Sequence, residues 1–228
     1  MSLLEKPSIY NQASVYSMGD KKTVWGGKPF EINSNARVQI KQDAIILRKT
    51  QETSSNSDTI YMGVEPIYTA EKTFGDLGID DEIEINFEGL VKKLGSGRTF
   101  VFMPSGVFGS SSSQFDVNDM NFEINNYDGK CWFRVFNTAG GQFNFDYNQI
   151  VRIHLFAKKT STVTMSFKGW YNGFEKLSAD VTLDSAKLAR TCLLTFGSFG
   201  RTQGFKTNSE IRPGSFIRYN DEILFGIK

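Results

Sequence analysis

Three glutamates in one short segment carry the most suggestive chemistry in the sequence. Glu82 and Glu84 are two positions apart, so on a β-strand both side chains point to the same face, and Glu88 follows on that face. Paired carboxylates on one strand face can serve glycoside hydrolysis, one as acid and the other as nucleophile. A solvated outer strand face explains the same spacing, and we expect that arrangement rather than an enzyme.

Few other residues offer catalytic or metal-binding chemistry. His154 is the single histidine, and we expect a structural or surface role for it. Cys131 and Cys192 form no CxxC pair, and with one histidine they cannot assemble the usual structural zinc site. The acidic side chains do not follow EF-hand spacing, so we predict neither metal nor cofactor. A disulfide between the two cysteines stays open beside two buried free thiols, which we favour.

Three aromatic residues are candidates for carbohydrate contact. Trp132, Trp170 and Tyr171 could stack on sugar rings beside asparagine and aspartate side chains. Aromatic residues of this kind more often belong to a core or an interface, and both interpretations stay open. The Asn172-Gly173 pair that follows is typical of a type I′ hairpin turn, which needs positive φ at both central residues.

The composition indicates which elements must position these residues. The 228 residues include 14% aromatic side chains, twenty of them phenylalanine, and the formal net charge is +1. Aromatic residues suit the half-buried surface of a β-sheet, and a neutral balance argues against a nucleic-acid binder. No apolar stretch is long enough for a signal peptide or a membrane helix, so we expect synthesis in a host cytoplasm and no membrane partner.

Strand-like alternation dominates the chain from Pro29 onward. The clearest run is 81–88, and further alternating runs cover 143–147, 151–157 and 162–168. Turn signals separate roughly a dozen or more short strands, with at most one or two helical turns at 184–190. The sequence therefore predicts an all-β jelly-roll sandwich, a single domain over residues 29–228.

Residues 1–28 differ from this body and are predicted to form an extended N-terminal arm. Large apolar side chains are set among polar residues without a lasting period, and they argue against a freely solvated tail: Ile9, Tyr10, Val15, Tyr16 and Trp25. We expect this arm to mediate assembly, adding strands to a neighbouring subunit or packing on it.

The region from about Asp80 to Lys228 resembles the concanavalin A-like, LamG-like jelly rolls. The resemblance is carried by a strand at 122–125, the segments 131–135 and 145–153, a hairpin from Val163 that ends at Asn172-Gly173, and a closing strand at 223–226. It implies a two-sheet sandwich of a kind that hosts lectins, enzymes and structural proteins.

Two shorter segments resemble other families. Residues 82–88 are similar to the jelly-roll glucanases, except that Glu84 replaces their central aspartate and two residues separate Ile85 from Glu88. Residues 7–16 look like the short leader of tailed-bacteriophage virion proteins, which often combine an assembly arm with a jelly-roll body. This second resemblance implies a place in a virus particle.

Together these observations predict a non-enzymatic structural subunit of a phage virion, in the tail, collar, baseplate or capsid decoration. Its expected partners are other virion proteins and copies of itself. The alternative is a carbohydrate-binding module, or a virion protein that recognises a host glycan through Trp132, Trp170 or Tyr171. A third hypothesis is a degenerate glycoside hydrolase that uses Glu82 and Glu88.

Overall fold

The structure is a computed structural model, and its description is confined to part of the chain. The described residues are 13–17, 20–24, 30–33, 36–40, 44–49, 60–63, 73–93, 98–104, 120–136, 138–190, 194–198 and 207–226. Within them the backbone is almost entirely extended, with one 3-10 turn at Phe74–Asp76 and one short helix, α1, at Ser185–Leu188.

The strands are numbered in chain order. The first eight are β1 Ala13–Ser17, β2 Asp20–Val24, β3 Phe30–Asn33, β4 Ala36–Ile40, β5 Ile45–Lys49, β6 Ile60–Gly63, β7 Glu82–Val91 and β8 Arg98–Pro104. The next seven are β9 Asn121–Asn125, β10 Lys130–Val135, β11 Thr138–Ala139, β12 Phe143–Asn144, β13 Ile150–Lys159, β14 Thr164–Tyr171 and β15 Phe174–Thr182. The last four are β16 Leu194–Ser198, β17 Thr207–Ile211, β18 Phe216–Tyr219 and β19 Glu222–Gly226.

These strands form two antiparallel sheets. Over the described residues, one nine-stranded sheet has the order β11-β10-β9-β8-β16-β6-β1-β2, with β12 beside β10. The other, ten-stranded sheet has the order β15-β14-β13-β7-β17-β5-β4-β3, with the hairpin β18–β19 attached through β7. The predicted all-β jelly-roll sandwich is confirmed.

A phenylalanine-rich core lies between the two sheets. Phe122 of the nine-stranded sheet stacks on Tyr171 of the ten-stranded sheet, with ring centroids 6.1 Å apart and planes 3° from parallel. Phe133 crosses Phe122 edge to face at 4.9 Å, and it lies so close to Gly169 that a Cβ there would be 2.9 Å from its ring. Over the described residues, the buried phenylalanines therefore fill much of the space between the sheets.

Alternation along the central strands separates this core from an outer face. In β7 the apolar side chains of Ile83, Ile85 and Phe87 are buried, while Glu82, Glu84 and Glu88 are only partly covered. The neighbouring strand β13 repeats the pattern over ten residues. The alternation predicted for 81–88 is confirmed, and it sends every second side chain of these strands outward.

Local turn chemistry fixes the registers. Asn172 and Gly173 have φ values of 49° and 84°, as a type I′ turn requires, and they join β14 to β15. Asn220 has a φ of 50° at the turn between β18 and β19. Helix α1 begins after Asp184, whose side chain accepts the backbone N–H of Lys187.

Part of the predicted N-terminal arm lies within the sandwich. Val15 and Tyr16 belong to β1, which pairs with β6, and β2 pairs with β1 at the end of the nine-stranded sheet. These two strands extend the nine-stranded sheet beyond β6. Ile9, Tyr10 and Trp25 lie outside the described residues, and the assembly role of residues 1–28 stays a prediction.

Candidate functional site

The outer face of the ten-stranded sheet brings a ring pair together on β13 and β14, near the β15 end of the sheet. His154 of β13 is the direct cross-strand partner of Trp170 on β14 and of Asn86 on β7. Directly opposed side chains in antiparallel strands lie about 5 Å apart, close enough for their rings to meet. The imidazole and the indole stack with centroids 4.9 Å apart and planes 22° from parallel.

This pair lines a groove that we call the ring groove, formed by Arg152, His154, Trp170 and Gly173. Its volume is about 390 Å³. Gly173 contributes no side chain, and the space where its Cβ would stand is empty to 4 Å. The glycine that the turn requires for its backbone therefore also leaves that end of the groove open.

The turn beside the groove is tied to β13 in both directions. The backbone N–H of Asn172 donates to the carbonyl of Arg152 over 2.8 Å, and the N–H of Arg152 donates to Oδ1 of Asn172 over the same distance. These bonds fix Gly173 relative to Arg152, so the shape of the groove does not depend on a loose loop.

Arg152 is held by a buried amide. Its Nε donates to Oδ1 of Asn86 over 3.1 Å, and Nδ2 of Asn86 donates to the carbonyl of Gly214 over 2.7 Å. Asn86 is only 1% exposed, whereas Arg152 is exposed. Because Nε is the atom fixed, the two terminal NH₂ groups of the guanidinium are left to contact a ligand.

Glu84 connects the histidine to the C-terminal hairpin. Oε1 of Glu84 lies 2.7 Å from Nε2 of His154, and its other oxygen pairs with Nη2 of Arg218 on β18. Against a carboxylate, Nε2 of a neutral imidazole must carry the proton, so Nδ1 is left as an acceptor. The Glu84 carboxylate therefore balances the charge of Arg218 and sets the tautomer of the neutral His154 ring.

The pKa of His154 lies below its usual range. Burial is the largest cause, because it disfavours the charged imidazolium, and the positive charges of Arg152 and Arg218 act in the same direction. The Glu84 carboxylate opposes them. The balance of these effects favours the neutral imidazole.

The two glutamates of the hydrolase hypothesis lie too far apart for that chemistry. Glu82 and Glu88 are six positions apart on β7, roughly 20 Å at the rise of an extended strand. Glycosidase carboxylates lie about 5–9.5 Å apart. The register between β7 and β13 runs without a shift, so no bulge shortens this distance. In addition, Glu82 is 3.4 Å from Nζ of Lys158.

Of the three predicted sugar-stacking residues, the structure places one in the groove. Trp132 and Tyr171 are each 5% exposed, so neither offers a ring face to a ligand. The Tyr171 hydroxyl donates to the carboxylate of Asp146 over 3.0 Å. Trp170 is the partly exposed member. Since Trp170 and Tyr171 are consecutive on a strand, they point to opposite faces.

The predicted free thiol is found at Cys131, while Cys192 lies outside the described residues. Cys131 is buried and unpaired, with Sγ 3.5 Å from the carbonyl of Phe143. Burial, with a smaller contribution from the negative charge of Asp146, raises the pKa of the Cys131 thiol far above its usual value. A thiol in this state is a poor nucleophile and metal ligand.

Sequence reasoning did not assign Arg152, Asn86 or Arg218 to a site, and it considered Glu84 only among the carboxylates of a hydrolase. Their connection depends on which strands are neighbours, above all on the pairing of β7 with both β13 and β18. Over the described residues, no three His, Cys, Asp or Glu side chains come together as a metal site. The same part of the chain has no helix long and apolar enough to cross a membrane.

The sequence matches no protein-family model, and no curated protein matches it. Among solved structures, the alginate lyase from Corynebacterium sp. superimposes with a TM-score of 0.56 at 8% identity, over 92% of this chain and 94% of that one. The carbohydrate recognition domain of Emp46p in its metal-free form gives 0.48 at 9% identity, over 92% and 91%.

A structure of botulinum neurotoxin type C, whose cell entry depends on two ganglioside molecules, gives a TM-score of 0.48 at 11% identity. It covers 92% of this chain and 46% of that one. At these identities the similarity concerns the fold, and the likeness to the alginate lyase shows the jelly roll predicted from the sequence. These comparisons give no indication of a virus particle, so assembly into one stays a prediction.

Proposed function

We propose that this protein binds carbohydrate at the ring groove on the outer face of its ten-stranded sheet. The observation that carries the proposal is the stacked pair of His154 and Trp170, which is partly exposed in the groove beside Arg152. A solvent-accessible ring platform with a few fixed polar groups is the usual design of a small-ligand site.

The groups around the platform suit a ligand rich in hydroxyls. The indole face offers an apolar surface to the C–H face of a sugar, and the indole N–H is a donor. Nδ1 of His154 accepts from a sugar hydroxyl, and the terminal NH₂ groups of Arg152 donate to a ring or carboxylate oxygen. The volume of about 390 Å³ is at the small end of ligand pockets, as one or two sugar units need.

The fold comparison supports this choice of ligand class. The alginate lyase that shares the jelly roll acts on a polysaccharide, and the TM-score of 0.56 extends over nearly the whole length of both chains. The carbohydrate-binding alternative of the sequence analysis is therefore the function we propose. The virion prediction remains compatible with this proposal: a subunit of a virus particle would recognise a host glycan through this groove.

We propose binding without turnover. Glu84, the carboxylate beside the groove, accepts a hydrogen bond from His154 and forms an ion pair with Arg218, so both of its oxygens are engaged. Glu82 is likewise paired with Lys158. An acid–base catalyst must instead exchange a proton with the substrate at hydrogen-bonding distance.

Binding to a glycan array that includes alginate oligosaccharides tests the proposal. We expect Trp170→Ala to weaken binding of the best ligand by at least about tenfold, because buried indole contacts dominate such sites. Tyr127→Ala is the matched control, since Tyr127 is 65% exposed at the turn between β9 and β10, away from the groove.

Two results would overturn the proposal: a folded protein that binds no glycan, or equal affinities for wild type and Trp170→Ala. Turnover is measured separately, by incubating the wild type with its best ligand and assaying for new reducing ends and unsaturated sugars. Accumulation of either product would contradict the non-enzymatic part and leave the binding site in place.

A further inference from the structure

A second groove follows β15, the strand at one end of the ten-stranded sheet. It is bounded on one side by four consecutive residues of β15, Glu175–Ser178, and on the other by Gly141, Gln142 and Phe143. Its volume is about 420 Å³. Over the described residues β15 pairs only with β14, so this edge groove lies where a further strand would otherwise stand.

The wall of the edge groove is held close to the strand by Gly140. A Cβ at Gly140 would lie 2.6 Å from the carbonyl oxygen of Lys176, a distance that a larger residue could not adopt. The backbone N–H of Gly140 also donates to the carbonyl of Phe133 over 2.9 Å. The groove therefore has a fixed width, and part of the β15 backbone is already covered.

Phe143 and Lys176 line the edge groove, and Phe174 lies beside Lys176. Phe174 is 72% exposed, an unusual state for so large an apolar side chain. Nζ of Lys176 lies 5.0 Å from the ring centre of Phe143 and 6.0 Å from that of Phe174. The ammonium group thus links the two rings by cation–π contacts and adds a donor beside them.

The edge groove meets the ring groove at the turn between β14 and β15. Trp170 of the ring groove is the direct cross-strand partner of Glu175, which lines the edge groove. Gly173 of the ring groove and Glu175 flank Phe174 in the chain. The register pairs Phe174 with Tyr171, so its exposed ring is on the face of the hairpin opposite to Trp170, beside Lys176 of the edge groove.

We propose that the two grooves form one extended site, which binds an oligosaccharide of several units with Phe174 as a second stacking platform. This inference rests on the proposed function and specifies its ligand class: a glycan chain rather than a single sugar. Across the two grooves, aromatic rings are combined with hydrogen-bonding side chains such as Gln142 and Ser178. This combination suits a ligand made of repeated sugar units. A peptide strand would need the β15 edge that the Gly140 contact partly covers.

Affinity as a function of ligand length tests the extended site. The probes are oligosaccharide series from disaccharide to hexasaccharide of alginate, which is acidic, and of xylan and laminarin, which are neutral. For the series that binds, we expect the affinity to rise with length by about three- to tenfold beyond the shortest ligand, as one further aromatic contact contributes. Phe174→Ala should remove that rise and leave the shortest ligand unaffected.

Two further variants complete the test. Gly140→Ala should reduce the affinity for the hexasaccharide alone, because the added Cβ forces the groove wall away from Lys176. Tyr127→Ala should bind every length as the wild type does, since Tyr127 is exposed outside both grooves.

The outcomes separate this inference from the proposed function. Equal affinity for short and long ligands, or an equal loss for both in Phe174→Ala, would overturn the extended site and leave the ring groove standing. Absence of binding to any glycan would overturn both. Binding of an extended peptide at β15, detected by backbone amide protection along Glu175–Ser178, would assign the edge groove to strand addition instead.

Discussion

The two faces of the ten-stranded sheet are built from the same strands but differ in their exposure to water. Its inner face is closed against the other sheet: Phe87, Ile153 and Phe167 are each at most 1% exposed. On the outer face, most residues one step away along the same strands remain partly exposed, among them His154 and Phe156, whereas Asn86 is buried. Water is thus removed from one face and retained on the other.

Because of this difference, neighbouring residues of one strand have different roles: one stabilises the fold and the next is available for binding. The inner side chains contribute through buried apolar area and close packing, which determine whether the sheet exists. The outer side chains contribute little apolar burial, but their positions are fixed because the inner face fixes the strands. Substitutions at adjacent positions should therefore have effects of different kinds, and the following variants test that separation.

The largest effect should come from the inner face of β7. Phe87→Ala removes a fully buried ring, and we expect the free energy of unfolding to fall by about 3–5 kcal/mol. Phe156→Ala, on the outer face of β13, should cost about 1 kcal/mol, because its ring is only partly covered. Denaturant unfolding monitored by circular dichroism measures both.

Equal losses in these two variants would contradict the separation of the faces. Phe87→Leu provides a milder change where the alanine variant does not fold, and its loss should still exceed that of Phe156→Leu.

A backbone contact inside the sheet should give the next effect. Gly89 of β7 faces β17 so closely that a Cβ would lie 2.0 Å from the carbonyl oxygen of Glu210. Gly89→Ala must push the two strands apart, and we expect a loss of about 2–3 kcal/mol. Gly141→Ala is the control, because no atom lies within 4 Å of its added Cβ, and it should change stability by less than about 0.5 kcal/mol.

Thermal and denaturant unfolding of the two glycine variants measures the difference in their stability. A tolerated alanine at position 89 would mean that β7 and β17 can separate without cost, and that the sheet does not fix the spacing beneath the outer face.

An outer-face ion pair should matter less. Glu84→Gln keeps the size of the side chain but removes the charge shared by His154 and Arg218, and we expect a loss of about 1 kcal/mol. Glu82→Gln, which alters the exposed pair with Lys158, should have a smaller effect. Urea unfolding of both variants compares the losses in the free energy of unfolding. A larger loss for Glu82→Gln than for Glu84→Gln would contradict the stronger stabilising role that we assign to Glu84.

Much of the fold could be predicted from the sequence, because alternation and turn residues are local signals. The run at 82–88 and the Asn172-Gly173 turn specify strand faces and a hairpin without reference to distant residues. The pairing of β1 with β6 could not be predicted, because it is a contact across more than forty residues that alternation does not reveal.

The site was predicted only at Trp170. Strand alternation alone excludes Trp170 and Tyr171 from sharing a face, and this simple signal would have identified Tyr171 as a core residue. The contact between His154 and Trp170 requires the register of β13 on β14, and the contact of Glu84 with Arg218 requires a strand from the end of the chain. Such long-range pairings are set by packing of the whole sandwich, so no local pattern indicates them.

The smallest expected effect on stability comes from the titration of His154 on the outer face. The pKa of folded His154 is lowered by burial and by the nearby arginines, against the opposing effect of Glu84. As the pH falls through about 6.5, the unfolded chain takes up a proton before the folded protein does, so the free energy of unfolding should decrease toward acid. That stability is fully present above about pH 6.5 and is lost progressively below it.

Urea unfolding of the wild type and of His154→Gln across this range measures the effect. We expect a shallower pH dependence in the variant, because the other titrating groups are common to both proteins. Proton NMR of the imidazole gives the folded pKa directly, since the sequence contains a single histidine. A folded pKa above 6.5, or a wild type that gains stability toward acid relative to the variant, would show that the Glu84 carboxylate outweighs burial and that the outer face holds a charged ring.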